Sequence, residues 1–338
     1  MSDIGRMAAI FGCDGLTLTR GERDFFKEAD PFGFILFARN IDTPDQVRAL
    51  TSSLRESVGR DAPILIDQEG GRVQRMRGPH WRDWTPPLEA AQTAGEDAAR
   101  VLALRAAVIA QELRAVGIDA NCAPVADIAG PETHPFLRNR CYGETAAQVC
   151  KRARAVADAY LAAGVLPVVK HLPGHGRATA DTHHDLPTVT ASMAELAAHD
   201  FAPFKALNDL PMAMTAHIIF AAYDAAHPAT QSPRMIGVIR DEIGFQGLLM
   251  TDDLNMQALC GTLADRTRAA MAAGCDIALH CKGDMGEMLE VAAEAGDMRP
   301  DTRARAAAAL ARRKVHAPVD IAALEADLAA MGQGAVHG

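Results

Sequence analysis

The sequence predicts an α/β fold and, within that class, a single-domain (β/α)8 TIM-like barrel. Its 338 residues fall within the range of one such barrel. Eight short apolar segments alternate with helical segments, and this order is typical of parallel strands joined by crossover helices. No Gly-x-Gly-x-x-Gly pattern follows the first apolar segment, which argues against an open sheet that binds a dinucleotide.

The predicted strands are apolar runs of five or six residues, a length expected for buried strands. They are MAAIFG (7–12), GFILFA (33–38), PILID (63–67), ANCAPV (120–125), PVVKH (167–171), MAMTAH (212–217), LLMTD (248–252) and IALHC (277–281). Most neighbours in this series are separated by a segment with helical features. Eight such units in about 290 residues favour a barrel over an open sheet.

The segments between the strands carry helix signals. Residues 43–59 begin with Thr-Pro and end at a glycine. Residues 95–117 place apolar side chains three and four positions apart, as an amphipathic helix does. An Ala-rich stretch at about 300–338 predicts tail helices packed on the barrel. No linker or shift in composition divides the chain, so we expect residues 1–338 to form one domain.

Composition and charge exclude several classes of protein. Hydrophobic residues make up 49% of the chain and the formal net charge is −9, so we expect no nucleic-acid partner. No apolar run is long enough to span a bilayer, and the first one is too short for a signal peptide. The seven cysteines are odd in number and lack a Cys-x-x-Cys pair, which favours free thiols and a cytoplasmic location. The oligomeric state stays open, with a monomer as the simplest expectation.

Polar residues follow several predicted strands at the point where each one ends. Asp67 ends one strand, Lys170 and His171 end another, and His217 and Asp252 end two more. In barrels of this type the active site lies at the carboxyl ends of the strands. The sequence therefore predicts an active site at that end.

The segment LIDQEGGRVQR suits a binding turn. Gly70 and Gly71 permit a tight turn after Asp67, and Arg72 and Arg75 are expected on the first turn of the next element. An aspartate with an arginine is a common pair for holding vicinal hydroxyls. The alternative is that Asp67 caps the next helix while an arginine neutralises it.

The segment LLMTDDLNMQ offers two adjacent carboxylates, Asp252 and Asp253. Side chains alternate along a strand, so only one of the two is expected to face the barrel axis. That residue is a candidate nucleophile or base, and the other is a candidate cap for a helix LNMQAL. Periodicity does not choose between them, and both could be caps.

The segment VVKHLPGHGRATADTHHDLP (168–187) contains four histidines. His171 and His175 are four apart, but Pro-Gly between them prevents the pairing of a helical zinc motif. Asp181 lies two residues before His183, a spacing that lets a carboxylate orient an imidazole and raise its pKa. A proton-transfer loop, a metal site and a polar loop without chemistry are the three interpretations.

Five motifs occur in a familiar order. They are DQEGGRVQR (67–75), NRCYG (139–143), KHLPGHG (170–176), DTHHDLP (181–187) and TDDLNM (251–256). On these motifs, from about residue 8 to about 290, the chain resembles the family 3 glycoside hydrolases. Within them it is most similar to the single-domain bacterial β-N-acetylhexosaminidases of peptidoglycan recycling.

The resemblance implies a role for each matching residue. Asp252 is implied as the nucleophile of a retaining reaction that passes through a glycosyl-enzyme ester. His183 is implied as the general acid/base with Asp181 as its partner, because an imidazole already titrates near neutral pH. The implied sugar-binding residues are Asp67, Arg75, Arg140, Lys170 and His171. No metal and no organic cofactor is implied.

The implied reaction removes non-reducing terminal N-acetylglucosamine from muropeptide fragments. The substrate would be N-acetylglucosamine joined β-1,4 to anhydro-N-acetylmuramic acid, with or without peptide. A phosphorylase or β-glucosidase on the same scaffold is an alternative, since a neutral histidine would not repel an incoming phosphate. A metal-dependent barrel hydrolase is a further alternative. Residues 134–139 depart from the family pattern and leave the contacts beside Arg140 open.

Overall fold

The structure is a computed structural model that describes residues 4–178, 186–314 and 320–331. The eight predicted strands are all present in these residues. The barrel strands are β1 Met7–Phe11, β2 Pro31–Leu36, β3 Ile64–Ile66, β4 Ala120–Asn121, β5 Leu166–Leu172, β6 Met212–Thr215, β7 Leu248–Met250 and β8 Ala278–His280.

The eight strands form one parallel sheet that closes on itself. Their order is β7-β6-β5-β4-β3-β2-β1-β8, and each neighbouring pair is parallel. A parallel bridge between Met250 and Ile277 joins the two ends of the sheet. Closure removes the exposed edges that an open sheet would leave. The predicted (β/α)8 barrel is thereby confirmed.

Helices alternate with the barrel strands through the described part of the chain. The α-helices are α1 Arg20–Ala29, α2 Pro44–Val58, α3 Pro87–Ala94, α4 Ala98–Ala115, α5 Pro135–Arg138, α6 Ala146–Ala162, α7 Met193–Glu195, α8 Ala202–Ala206, α9 Pro233–Gly237, α10 Leu263–Ala273, α11 Met285–Ala295, α12 Pro300–Ala311 and α13 Ile321–Ala330. Short 3₁₀ turns lie at Ala38–Asn40, Gly95–Asp97 and Ala229–Gln231, and π turns at Leu196–Asp200 and Val238–Glu242. None of the described helices has the length and apolarity needed to cross a membrane.

Helix α2 begins and ends where its sequence predicts. The Thr43 side chain accepts the Gln46 N–H, and Pro44 occupies the first turn, where its missing N–H costs nothing. The helix ends at Gly59, whose φ of 64° is the left-handed conformation that glycine adopts without strain.

Alternating side chains of the strands supply two apolar layers. Ile10, Ile35 and Leu65 belong to the cluster inside the barrel. Phe11 and Phe34, on neighbouring positions, belong to the layer between the barrel and its helices. Met298 and two alanines of α12 join the inner cluster, so that layer is covered at the end where the chain enters the strands. The opposite, carboxyl end is where the polar side chains lie.

Asp276 ties the closing strand to the surrounding helices. Its side chain is fully buried and accepts hydrogen bonds from Arg240, Arg305 and Thr302 at 2.7, 2.8 and 2.9 Å. It also accepts the Leu249 N–H at 3.0 Å. A buried carboxylate with this many partners stabilises the fold only while all of them stay in place.

The tail contributes two helices to the described structure. Helix α13 packs against α4, with Leu328 buried. Arg82 forms ion pairs with Glu325 of α13 and with Glu112 of α4. The single-domain organisation of residues 1–338 stays a prediction, because 315–319 and 332–338 lie outside the described residues.

Candidate active site

The carboxyl ends of the barrel strands surround one pocket of about 140 Å³. Its floor is apolar and includes Ile35, Met214 and Leu279. Eight residues that the sequence analysis singled out line its wall: Asp67, Arg75, Arg140, Lys170, His171, His175, Asp252 and Asp253. They come from segments far apart in the chain, and barrel closure brings them together.

Asp67 directly follows β3 and is held by two cations. Lys170 Nζ donates to Oδ1 at 2.8 Å, and Arg75 donates to Oδ2 at 3.0 Å. Burial raises the pKa of Asp67, but the charges of Lys170 and Arg75 outweigh it and hold that pKa well below its ordinary value. The carboxylate is therefore ionised, and each oxygen keeps a lone pair for a hydroxyl donor.

The segment after Asp67 is a β-hairpin. Gln68–Gly70 pairs antiparallel with Val73–Gln74, so the expectation that Asp67 caps a following helix is wrong. The turn needs its glycines, because Gly70 and Gly71 have φ of 103° and 59°. The hairpin returns Arg75 to Asp67, so the pair is made by a chain reversal instead of a helical turn.

Glu69 was not singled out from the sequence, yet it holds two of the pocket's cations. Its side chain is 0% exposed and accepts Arg140 Nε and Nη2, both at 2.9 Å. Lys170 Nζ lies 2.7 Å from Glu69 Oε1. Burial raises the pKa of Glu69, but Arg140 and Lys170 outweigh it and lower that pKa. The position of Glu69 two residues after Asp67, within the same polar motif, was the sequence signal that could have found it.

Asp127 is a second residue that sequence reasoning missed. Its Oδ2 lies 2.7 Å from His171 Nδ1, and its Oδ1 accepts the His175 N–H at 2.7 Å. The carboxylate fixes a proton on Nδ1, so Nε2 is the ring atom turned toward Arg140, at 3.4 Å from its guanidinium. Burial raises the pKa of Asp127, but the charge of His171 outweighs it and lowers that pKa.

Asp252 and Asp253 both contribute to the lining of the pocket, and strand β7 already ends at Met250, two residues before Asp252. Strand alternation therefore does not decide which of the two side chains faces the barrel axis, and that choice stays a prediction. The predicted helix LNMQAL is wrong. The chain makes turns there, and α10 begins only at Leu263, after its cap Thr262.

The two aspartates differ in what they contact. Asp252 Oδ1 accepts the Asp253 N–H at 2.8 Å. Asp253 Oδ1 accepts the N–H groups of Asn255 and Cys281, both at 3.2 Å. Asp253 therefore holds two loops together, whereas Asp252, among the residues that the structure describes, accepts the N–H of its neighbour.

The pKa values of the pair are also pushed apart. Burial raises the pKa of Asp252, but His217 and His171 outweigh it and lower that pKa. Burial, with the charge of Asp252, raises the pKa of Asp253 to about 6. Asp252 is therefore the carboxylate that stays ionised over the wider range of pH, as a nucleophile requires.

His217, at the end of the β6 segment, anchors the loop that carries Asp252. Its Nε2 lies 3.1 Å from the Asp253 carbonyl oxygen and its Nδ1 lies 2.8 Å from Thr230 Oγ1. A carbonyl oxygen only accepts, so Nε2 carries a proton. Burial lowers the pKa of His217.

Asp181 and His183, with the rest of 179–185, lie outside the described residues. Of the four loop histidines, His171 and His175 are described. Burial lowers the pKa of His175 to about 4, so its ring is neutral at neutral pH. Within residues 4–178, 186–314 and 320–331, no cluster of three or more His, Cys, Asp or Glu side chains is arranged to hold a metal.

Comparison with known proteins agrees with this geometry. Residues 12–312 match the glycosyl hydrolase family 3 N terminal domain. A beta-hexosaminidase of Methylococcus capsulatus is 38% identical over 278 residues, which is 80% of this chain and 82% of the relative. A beta-hexosaminidase of Bordetella pertussis is 36% identical over 283 residues, 81% of this chain and 80% of the relative.

Solved structures give the same result. A glycoside hydrolase family 3 beta-N-acetylglucosaminidase from a Paenibacillus strain has a TM-score of 0.83 at 31% identity, covering 93% of this chain and 62% of its own. NagZ from Neisseria gonorrhoeae has a TM-score of 0.82 at 28% identity, covering 98% of this chain and 96% of its own.

The family match extends over most of the chain, and the relatives share more than 30% identity along about four fifths of it. The resemblance drawn from the ordered motifs is thereby confirmed, and so is the prediction of an enzyme that hydrolyses glycosidic bonds. The chain belongs to glycosyl hydrolase family 3.

Proposed function

We propose that this chain is a retaining exo-β-N-acetylglucosaminidase of the cytoplasm. Its substrate would be N-acetylglucosamine joined β-1,4 to anhydro-N-acetylmuramic acid, with or without a stem peptide. The observation that carries the proposal is the placement of the ionised Asp252 in one small pocket with Asp67, Lys170, Arg140 and His171. The names of the relatives, beta-hexosaminidase and beta-N-acetylglucosaminidase, support the choice of sugar.

In the first step Asp252 attacks the anomeric carbon. The bond from that carbon to the leaving-group oxygen breaks, and His183 donates its proton to the oxygen. The product is a glycosyl ester of Asp252. In the second step His183 takes a proton from water, which attacks the same carbon and releases the sugar and the carboxylate with net retention. Asp181 would orient His183 and stabilise its protonated form.

The remaining polar residues are proposed to hold the sugar before and during these steps. Asp67 has free lone pairs for hydroxyl donors, whereas Lys170 and Arg140 supply N–H donors. The small volume and the closed apolar floor support removal of one terminal residue instead of cleavage within a chain.

Hydrolysis of p-nitrophenyl β-N-acetylglucosaminide tests the proposal. Wild type is expected to release p-nitrophenol, and proton NMR of the first product formed should show the β-anomer. The α-anomer as first product would refute the retaining mechanism. Full turnover in Asp252→Ala would refute Asp252 as nucleophile, and a larger loss in Asp253→Asn than in Asp252→Ala would exchange the two roles.

The same assay separates the alternatives. Product analysis with added phosphate should show free sugar and no glycosyl phosphate, which would dismiss a phosphorylase. Faster turnover of the glucoside would favour a β-glucosidase instead. Loss of activity on exhaustive chelation, restored by metal, would favour the metal-dependent hydrolase.

A further inference from the structure

Glu69 lies behind the pocket wall and is not among the residues that line it. Its side chain has no exposed surface, so a bound sugar would not touch it. Both of its oxygens nevertheless accept hydrogen bonds from groups that do line the pocket. Oε2 accepts Arg140 Nε at 2.9 Å, while Oε1 accepts Arg140 Nη2 at 2.9 Å and lies 2.7 Å from Lys170 Nζ.

This one carboxylate fixes the direction of two flexible cationic side chains. The two parallel hydrogen bonds to Arg140 set the plane of its guanidinium, as bidentate pairs do. Lys170 Nζ is held between Asp67 Oδ1 at 2.8 Å and Glu69 Oε1 at 2.7 Å. A lysine side chain has four rotatable bonds and no geometric preference of its own, so two anions on different sides restrict it far more than one.

We propose that Glu69 is the positioning residue of the sugar site, acting through Lys170 and Arg140 and not by contact with substrate. This inference rests on the proposed function, because it needs Lys170 and Arg140 to hold the sugar. Without Glu69 the two cations keep their charges but lose the partner that aims them.

The Glu69 charge is not what holds the hairpin. The Glu69 carbonyl oxygen accepts a hydrogen bond from Arg105 at 2.8 Å, which holds the backbone without the side chain. Gln68 secures the two strands through Oε1, which accepts the N–H groups of Arg75 and Met76 at 3.0 Å. Glutamine has nearly the same shape as glutamate, so the hydrogen bonds that hold the hairpin should remain in Glu69→Gln.

Loss of the charge also changes the balance around the nucleophile. Lys170, Arg140 and Arg75 are gathered around Asp67 and Glu69. With Glu69 neutral, Arg140 has one carboxylate fewer to satisfy it and is expected to turn toward another anion. Asp127, Asp252 and Asp253 are other carboxylates in the described part of the site, and a cation drawn to any of them would leave the sugar's position.

The test compares Glu69→Gln, Glu69→Asp and Arg140→Met with wild type. It measures kcat and KM on p-nitrophenyl β-N-acetylglucosaminide and the inhibition constant of free N-acetylglucosamine. Glu69→Gln should raise KM and the inhibition constant at least tenfold and lower kcat/KM about a hundredfold. Glu69→Asp keeps the charge on a side chain one methylene shorter, which does not reach both cations equally well, so it should recover about tenfold of that loss and keep a KM several-fold above wild type. Glu69→Gln should lower kcat/KM by a smaller factor in the Arg140→Met background than in wild type, because the part of its effect that passes through Arg140 is already absent.

Glu112→Gln is the matched control. Glu112 is a partly buried glutamate that is also paired with an arginine, Arg82 at 2.6 Å, and it lies on α4 away from the pocket. It should lower Tm and leave KM and kcat unchanged, which is the behaviour of a purely structural ion pair.

The outcomes are separable. A folded Glu69→Gln enzyme with KM and inhibition constant within twofold of wild type overturns the positioning role. If Glu69→Gln does not fold, Glu69→Asp decides: unchanged constants overturn the role and raised constants support it. A wild type that neither hydrolyses the aryl glycoside nor gains thermal stability from N-acetylglucosamine overturns the proposed function first, and the role of Glu69 with it.

Discussion

Substitution of Asp127 by asparagine is expected to disable the pocket although Asp127 itself does not line it. The wild-type carboxylate serves two partners at once, His171 Nδ1 at 2.7 Å and the His175 N–H at 2.7 Å. An asparagine has one acceptor oxygen and one NH₂ group. If its oxygen keeps the backbone N–H, its NH₂ faces the ring and forces the proton of His171 onto Nε2. That N–H then points at the Arg140 guanidinium, 3.4 Å away. Both groups are hydrogen-bond donors, so the contact becomes unfavourable.

The magnitude follows from the bond that is lost. A hydrogen bond to a charged group contributes about 1.5–3 kcal/mol, and each ~1.4 kcal/mol changes a rate or affinity about tenfold. We therefore expect kcat/KM of Asp127→Asn to fall roughly 10- to 150-fold. The fall should lie mainly in KM if His171 only holds the sugar.

The same substitution has a signature in acid unfolding. The folded pKa of Asp127 lies below its ordinary value of 3.8, since the charge of His171 outweighs burial. Ionised Asp127 therefore stabilises the fold above pH 3.8, and this contribution is lost as the pH falls through the lower folded value. The stability of Asp127→Asn should depend less on pH below about 4.

Steady-state kinetics on p-nitrophenyl β-N-acetylglucosaminide, with urea unfolding from pH 3 to 7, measure both effects. Asp119→Asn is the matched control. Asp119 also gives one oxygen to a backbone N–H, Ile64 at 2.8 Å, and the other to cations, with Arg55 at 2.8 Å. It should lose stability and keep its kinetics. Kinetics of Asp127→Asn within twofold of wild type would refute the reasoning about His171.

Three further predictions concern the nucleophile and the fold. Asp252→Ala should lower kcat by more than about a thousandfold at unchanged Tm, and a residual rate above a tenth of wild type would contradict its role. The raised pKa of folded Asp253 means that wild type loses stability as the pH rises from 3.8 through about 6, because the ionised group is disfavoured in the fold. Asp253→Asn should not show this loss. Parallel curves of unfolding free energy against pH for the two proteins would contradict this. Asp276→Ala should lower the free energy of unfolding by about 3–5 kcal/mol, measured in urea, since the partly buried Arg240 and Arg305 lose the buried carboxylate that pairs with them. A change below about 1 kcal/mol would show that the network relaxes.

The sequence determined the barrel almost completely. All eight predicted strands occur, and each lies within a few residues of its expected bounds. The reason is physical: a strand at the centre of a barrel is covered on both faces, so almost all of its residues are apolar and form an unbroken run in the sequence. The same logic predicted which end of the barrel carries the candidate site, because a polar residue that ends an apolar strand lies where the chain leaves the core.

Close to the site, local pattern was a weaker guide. Alternation was applied to Asp252 and Asp253, which lie beyond the end of β7, so it does not decide between them. The helix expected after them is replaced by turns, and Asp253, one of the two candidate caps, instead accepts the N–H groups of Asn255 and Cys281.

The partners of the charged groups were decided only by the tertiary structure. Lys170 meets Asp67 across 103 positions of sequence, and Arg140 meets Glu69 across 71. His171 finds Asp127 across 44. The local sequence pattern indicates whether a residue is buried or exposed. A buried charge also needs a counter-charge. The closed barrel decides which counter-charge it obtains, because closure determines which strand ends lie within about 3 Å of each other. The sequence alone therefore specified which ionisable groups are available to the pocket. The fold determined which of these groups pair with each other, and the pairs orient the side chains.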